Sequence, residues 1–156
     1  MIIIEFYDGQ GLGNQLWNYT VLRTVSRKLN LPFVVLSRDR FKGKLFLNID
    51  YGEVDQIEEI LYKIKNNEIQ YYKERMYFDL ELQCFMVDFD EKILNLKPYT
   101  KIDGYFQSEK YFFNDYDYFK TLFSIKLNLL DEKFIDKNVC VLNIRGGEYK
   151  GNKELI

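Results

Sequence analysis

Within the first 36 residues an apolar run, a glycine-rich loop, an amphipathic stretch and a second apolar run follow one another, and this order constrains the fold more than anything else in the chain. Ile2 to Tyr7 is apolar and β-branched and leads into Asp8-Gly9, which predicts a buried strand entering a turn. From Gln15 to Asn30, Leu22, Val25 and Leu29 recur at helical spacing with Leu16 and Trp17 ahead of them, while Arg23 and Arg27 share another face. Asn30 and Pro32 stop that helix. Leu31 to Leu36, with Phe33-Val34-Val35-Leu36, predicts a second strand. A strand, a helix and a strand of this kind build parallel sheets, so the expected fold class is α/β.

Further along, the pattern predicts a helix from about Val54 to Lys65, a strand near Ile69 to Tyr72, and a Tyr/Phe-rich middle without an assignable period. Lys101 to Phe106 predicts another strand. Ser108 and Glu109 form an N-cap and first turn for a helix running to about Phe123, with Phe112, Tyr116, Phe119 and Phe123 on its buried face. Asn138 to Arg145 predicts a buried strand ending at Gly146-Gly147. Such a strand normally leads into a helix and further strands, for which the residues up to Ile156 leave no room.

Composition narrows the function classes. The chain is 47% hydrophobic with 13 Tyr and 13 Phe, enough apolar surface for a packed core. Its 22 basic and 24 acidic residues are interspersed, which argues against a nucleic-acid partner. No apolar run approaches the roughly 20 residues of a membrane helix, and Met1-Ile2-Ile3-Ile4 meets Glu5 and Asp8 too soon for a signal peptide. A cytoplasmic protein is expected, with peripheral association with a membrane left open. Cys84 and Cys140 match no metal-binding spacing and are expected as buried thiols. The absence of histidine excludes His-based triads, His metal sites and His acid–base chemistry within these residues.

The loop Gly9-Gln10-Gly11-Leu12-Gly13-Asn14-Gln15 carries three glycines at alternate positions between a strand and a helix. Such a loop lets backbone approach a ligand closely and aims helix N-terminal amides at an anion such as a diphosphate. The dinucleotide fingerprint fails because Asn14 stands at the third glycine, and no Gly-Lys-Ser/Thr follows to make a P-loop. A tight turn explains a lone glycine loop equally well. Asn14-Gln15 at the helix start adds side-chain amide donors and acceptors.

Gly11-Leu12-Gly13-Asn14-Gln15-Leu16-Trp17-Asn18-Tyr19 resembles the G-G-L-G-N-Q-(Met/Leu)-(aromatic)-x-Tyr signature of family 11 glycosyltransferases, the α-1,2-fucosyltransferases, with Gln10 in place of a glycine. Gly104-Tyr105-Phe106-Gln107-Ser108-Glu109-Lys110-Tyr111-Phe112 is similar to the family's G-Y-(aromatic)-Q-S-x-K-Y-F segment. Val141-Leu142-Asn143-Ile144-Arg145-Gly146-Gly147-Glu148-Tyr149 resembles its strand-end motif H-x-R-R-G-D-Y. There Arg145 falls on the first Arg, Gly147 on the Gly and Glu148 on the Asp, while Asn143 takes the His position and Gly146 that of the second Arg. The strings occur in the family's order.

The resemblance implies the Rossmann-like N-terminal domain (1–137) of a GT-B-type enzyme, followed by the first strand and turn of an incomplete donor-binding domain (138–156), the enzyme transferring fucose from GDP-fucose to the 2-hydroxyl of a galactose in a glycan acceptor, with inversion and without a metal or other cofactor. It implies donor-site roles for Gly11, Gly13, Asn14, Gln15, Arg145, Gly147 and Glu148; a guanidinium such as that of Arg145 suits a departing diphosphate. No catalytic base emerges, since Asp8 suits a turn and Glu148 a strand end. Members of that family are longer, so the chain is expected to be an N-terminal piece that is inactive alone. A non-catalytic carbohydrate- or partner-binding domain and a degenerate gene remnant are the alternatives; a nucleotide-dependent oxidoreductase fits less well, with only Asp39 near the end of the second strand.

Overall fold

The computed structural model describes residues 1–112 and 115–126, and Met1–Ile125 forms one compact unit. The expected strand Asn138 to Arg145, the boundary at 137/138, Cys140 and the string containing Arg145, Gly147 and Glu148 lie outside the described residues.

The first strand, helix and second strand form as the pattern requires. β1 (Ile2–Glu5) leads through the glycine turn into α1 (Leu12–Leu29), and β2 (Phe33–Leu36) returns parallel to β1 with Ile3 opposite Val34. Asn30 ends α1 in the left-handed conformation at φ 51°, with its N–H donated to the carbonyls of Ser26 and Arg27. That conformation suits Asn better than most side chains. The helix begins three residues earlier than expected, so Gly13, Asn14 and Gln15 belong to its first turns and the loop is shorter.

β3 (Leu47–Asn48) and a single 3-10 turn at Val54–Gln56 precede α2 (Ile57–Lys65), after which β4 (Gln70–Lys73) enters the sheet. The Tyr/Phe-rich middle is a separate antiparallel hairpin of β5 (Met76–Asp79) and β6 (Cys84–Val87). β7 (Thr100–Asp103) then inserts between β1 and β4, giving a four-stranded parallel sheet in the order β2-β1-β7-β4.

Side-chain alternation along β1 sends Ile2, Ile4 and Phe6 to one face and Ile3 to the other. The first face packs with Tyr19, Leu22 and Val25 of α1, and the second with Ile60 of α2. Helices cover both faces, as a parallel sheet requires. The architecture is mixed α/β and compatible with a Rossmann-like arrangement.

Two expectations need correction. The helix from Ser108 to Phe123 is broken: Ser108 caps a 3-10 turn at Glu109–Tyr111, and α3 (Tyr116–Thr121) follows separately before β8 (Ser124–Ile125) pairs with β3. Phe112 leaves helical geometry with φ −142°, and its ring meets Trp17 at 5.2 Å and stacks on Phe119 at 5.1 Å. Aromatic packing onto α1 therefore overrides the local helical period. Cys84 is exposed rather than buried, because the β5–β6 hairpin does not enter the core.

At the sheet's C-terminal end Lys101 Nζ of β7 lies 2.6 Å from Glu5 Oε2 of β1, and Ser37 Oγ donates to Glu5 Oε1 at 2.9 Å. Burial opposes ionisation of Glu5, yet the hydrogen bonds from Lys101 and Ser37 hold its carboxyl below its ordinary range. Burial likewise opposes the Lys101 charge, and the Glu5 contact more than offsets it, raising the ammonium pKa. A depressed carboxylate stabilises the fold above its unfolded pKa, and that contribution disappears as pH falls through the folded value; the raised lysine loses its contribution above its own ordinary range. Glu5→Gln is therefore expected to lose on the order of 2 kcal/mol at neutral pH, the value of a hydrogen bond to a charged group. In urea unfolding at pH 7 and pH 3, the gap between wild type and variant should narrow at the lower pH.

Candidate functional site

The strand order makes a crevice at the sheet's carboxyl edge. The chain leaves β1 toward β2 on one side, while β7, the other neighbour of β1, is entered from the β4 side. Open α/β sheets bind ligands where successive connections separate in this way. A cavity of about 680 Å³ lies there, within the size range of small-molecule sites. Its walls come from Tyr7, Asp8, Gly9 and Gln10 after β1, Asn14 of α1, Lys73 and Glu74 at the end of β4, Met76 at the start of β5, and Asp103, Gly104 and Tyr105 at and after the end of β7.

The first loop is a tight turn in which Gln10 N–H donates to the Tyr7 carbonyl and Tyr7 N–H to Gln10 Oε1, each at 3.3 Å, with Gly9 at φ 80°. A side chain at Gly9 would be strained by that φ. Gly11 and Gly13 have no comparable need: among the described residues a Cβ at either would meet nothing within 4 Å, and neither has a positive φ. The first intrahelical hydrogen bond runs from Gln15 N–H to the Gly11 carbonyl at 3.1 Å. The amides of Leu12, Gly13 and Asn14 therefore precede the helical ladder and face outward from the helix start.

Asn14 and Gln15 separate in role. Asn14 Oδ1 accepts from Gln107 Nε2 at 2.8 Å, tying α1 to the loop after β7 across a separation of 93 positions. Gln15 is 0% exposed; its Nε2 donates to the Arg40 carbonyl and its Oε1 accepts from Lys42 N–H, both at 2.9 Å. Both ends of its amide are occupied, so Gln15 braces the loop after β2 rather than lining the crevice. Arg40 meets Asp8 at 3.2 Å, drawing the same loop against the glycine turn.

Glu74 organises the opposite wall and was not singled out from the sequence. It is 5% exposed, and its Oε2 accepts the N–H groups of Tyr105 at 2.7 Å and Phe106 at 2.8 Å. Tyr111 hydroxyl faces its Oε1 at 3.3 Å; burial, reinforced by the Glu74 charge, pushes that phenol up to about 12. Gly104 allows this approach, because a Cβ there would lie 2.4 Å from Glu74 Cβ. Phe106 adopts a left-handed φ of 51° with its ring between Tyr72 and Tyr111, and Gln107 emerges beyond it toward Asn14. The string Gly104 to Phe112 thus divides into residues that close around Glu74, of which Gly104 and Tyr105 line the crevice, and Gln107, which reaches Asn14.

The charges of the described wall are mostly negative, Asp8, Glu74 and Asp103 against Lys73, with aromatic surface from Tyr7 and Tyr105. Burial pushes the Tyr7 phenol up, so it stays neutral and offers both a donor and an acceptor. Among the described residues no cluster of His, Cys, Asp or Glu is arranged to hold a metal ion, and no helix is long and apolar enough to cross a membrane. Comparison with family models, curated proteins and solved structures finds no match to this chain.

Gln15→Leu is expected to cost about 1–3 kcal/mol, because it leaves the part-buried Arg40 carbonyl and Lys42 N–H without their partner. Gly104→Ala should cost a similar amount, about 1–3 kcal/mol, through forced displacement of Glu74. Urea unfolding midpoints measure both, and values equal to wild type would contradict the roles assigned here.

Proposed function

We propose that this chain carries the N-terminal, Rossmann-like part of a GT-B-type glycosyltransferase of the galactoside α-1,2-fucosyltransferase kind, using GDP-fucose as donor and a galactose hydroxyl as acceptor, with the start of α1 as the near wall of the donor site. The observation that carries the reading is the Asn14–Gln107 hydrogen bond of 2.8 Å. It joins the two family-like strings, far apart in sequence, at the mouth of one crevice beyond the carboxyl ends of the strands. Further support comes from Gly11 and Gly13, which have neither a crowded Cβ position nor a positive φ to account for them. Close approach of a ligand to the backbone accounts for both.

In this reading the outward amides of Leu12, Gly13 and Asn14 receive diphosphate oxygens, since a helix start offers unbonded N–H groups to an anion. The described wall holds Lys73 against three carboxylates and supplies little counter-charge for a diphosphate; the donor roles that the resemblance implies for Arg145, Gly147 and Glu148 fall on residues outside the described ones. Tyr7, Tyr105 and Asp103 are left to face sugar hydroxyls and ring surfaces. Asp8, paired with Arg40, is occupied as a turn residue, and no side chain is assigned as base. The reaction needs no metal in this scheme.

The crevice wall of carboxylates, amides and phenols also favours a second reading, a domain that holds a neutral carbohydrate without catalysis. Binding measurements separate the two. GDP-fucose, and GDP alone, should raise the melting temperature of the chain, by the equivalent of about 2.7 kcal/mol at one hundred times Kd. NAD and free galactose should leave it unchanged. A response to galactose without GDP would favour the carbohydrate-binding domain, and a response to NAD alone would sink both. Gly13→Ala gives a sharper check: alanine in the first helical turn is better tolerated than glycine by up to about 1 kcal/mol, so the variant should be at least as stable as wild type yet bind GDP-fucose more weakly.

A further inference from the structure

The β5–β6 hairpin is a two-stranded ribbon that pairs with no other described strand. Ribbons of two strands are marginal in water unless further strands or a helix complete a hydrophobic face. This one is unusually apolar outside. Phe85 is 70% and Leu80 77% exposed, and Met76, Tyr77 and Phe78 are exposed beside them. Phe78 and Phe85, directly opposite in the register, meet edge to face at 5.3 Å, which leaves the outer surface of the pair uncovered. Apolar surface of this extent concentrates at interaction sites.

The flanking charges select the occupant. From the end of β4 through β5 the chain reads Lys73, the buried Glu74, Arg75, then Met76-Tyr77-Phe78, then Asp79 and, past the strand, Glu81, so that the charges outside the core are basic before the strand and acidic from its end. An antiparallel copy of the same strand reverses that order and sets each basic residue against an acidic one. With Tyr77 opposite its own symmetry mate, Arg75 lies opposite Asp79 of the second copy and Met76 opposite Phe78. Residues directly opposite in an antiparallel pair share a face, so the ion pairs fall on one side and the apolar pairs on the other. The β6 edge lacks this property, because Glu81, Asp88 and Asp90 flank it on both sides and would face acidic residues.

We propose that two copies of this chain associate through β5 edges about a two-fold axis at Tyr77, making a four-stranded antiparallel sheet from two hairpins. A two-fold interface of this kind is self-complementary and closes at two copies. Pairing also removes an apolar edge strand that would otherwise recruit other chains.

Light scattering and sedimentation of the 156-residue chain, under reductant so that Cys84 forms no disulfide, test this. The wild type should show a reversible monomer–dimer equilibrium. Arg75→Asp should weaken it about tenfold, because two symmetry-related attractive pairs become repulsive. Asp79 Oδ1 accepts N–H groups of Glu81 and Leu82 within the turn, a role Asn also fills. Adding Asp79→Asn to Arg75→Asp removes the repulsion while keeping the turn, and should recover most of the lost affinity. A monomeric wild type, a dimer insensitive to Arg75→Asp, or a double variant as weak as Arg75→Asp alone would each overturn the proposal. Circular dichroism matching the wild type confirms that each variant is folded.

Discussion

A carboxylate buried where β4 ends sets the shape of the crevice. Glu74 fixes the backbone of Tyr105 and Phe106 through one oxygen and meets the Tyr111 hydroxyl through the other. In a low-dielectric setting, hydrogen bonds to a charge are stronger than those between neutral groups. The loop after β7 is therefore held in one path despite the left-handed backbone at Phe106. That path delivers Gln107 to Asn14, and thereby couples the end of β7 to the start of α1. Without Glu74 the loop after β7 would lose its anchor, and the cavity would lose its far wall.

The same logic of buried polar anchors recurs on the other side. Gln15, inside the helix, satisfies backbone groups of Arg40 and Lys42 and so fixes the segment after β2 against the glycine turn. Glu5 and Lys101 join β1 to β7 on the α2 face of the sheet. These contacts leave Asn14 at the crevice with Gln107 bonded to it, while the surrounding polar groups are consumed in support.

The sequence made the α/β class and the first strand, helix and strand legible, because Ile2 to Leu36 combines unambiguous periods with Asn30 and Pro32 as stops. It placed the helix start too late, since Gly11 and Gly13 look like loop residues, whereas Leu12 and Leu16 pack against the core and pull the first turn into the helix. The β5–β6 hairpin was illegible for a physical reason. Its turn has neither Gly nor Pro and is built by Asp79 accepting N–H groups at 2.9 Å, with Gln83 at a positive φ. Its strands also carry apolar residues on both faces, so no alternation marks them. In the site, Asn14 stood out by its place in the glycine loop, but Gln15 looked equivalent and only burial separates them. Glu74 gave no local signal, because its role depends on Gly104 and Phe106, thirty residues away and beyond the hairpin.

The central claim is that a nucleotide sugar lies against the start of α1 and the loop after β7. Amide and side-chain NMR of the 15N-labelled chain during titration with GDP-fucose tests it at the residues concerned. The account predicts that Gly11, Gly13, Asn14 and the Gln107 side chain shift together with one dissociation constant, while the Gln15 side chain, closed off by Arg40 and Lys42, shifts little. Saturable perturbations confined to the β2 end of the sheet, or none at all at these residues under millimolar ligand, would contradict it.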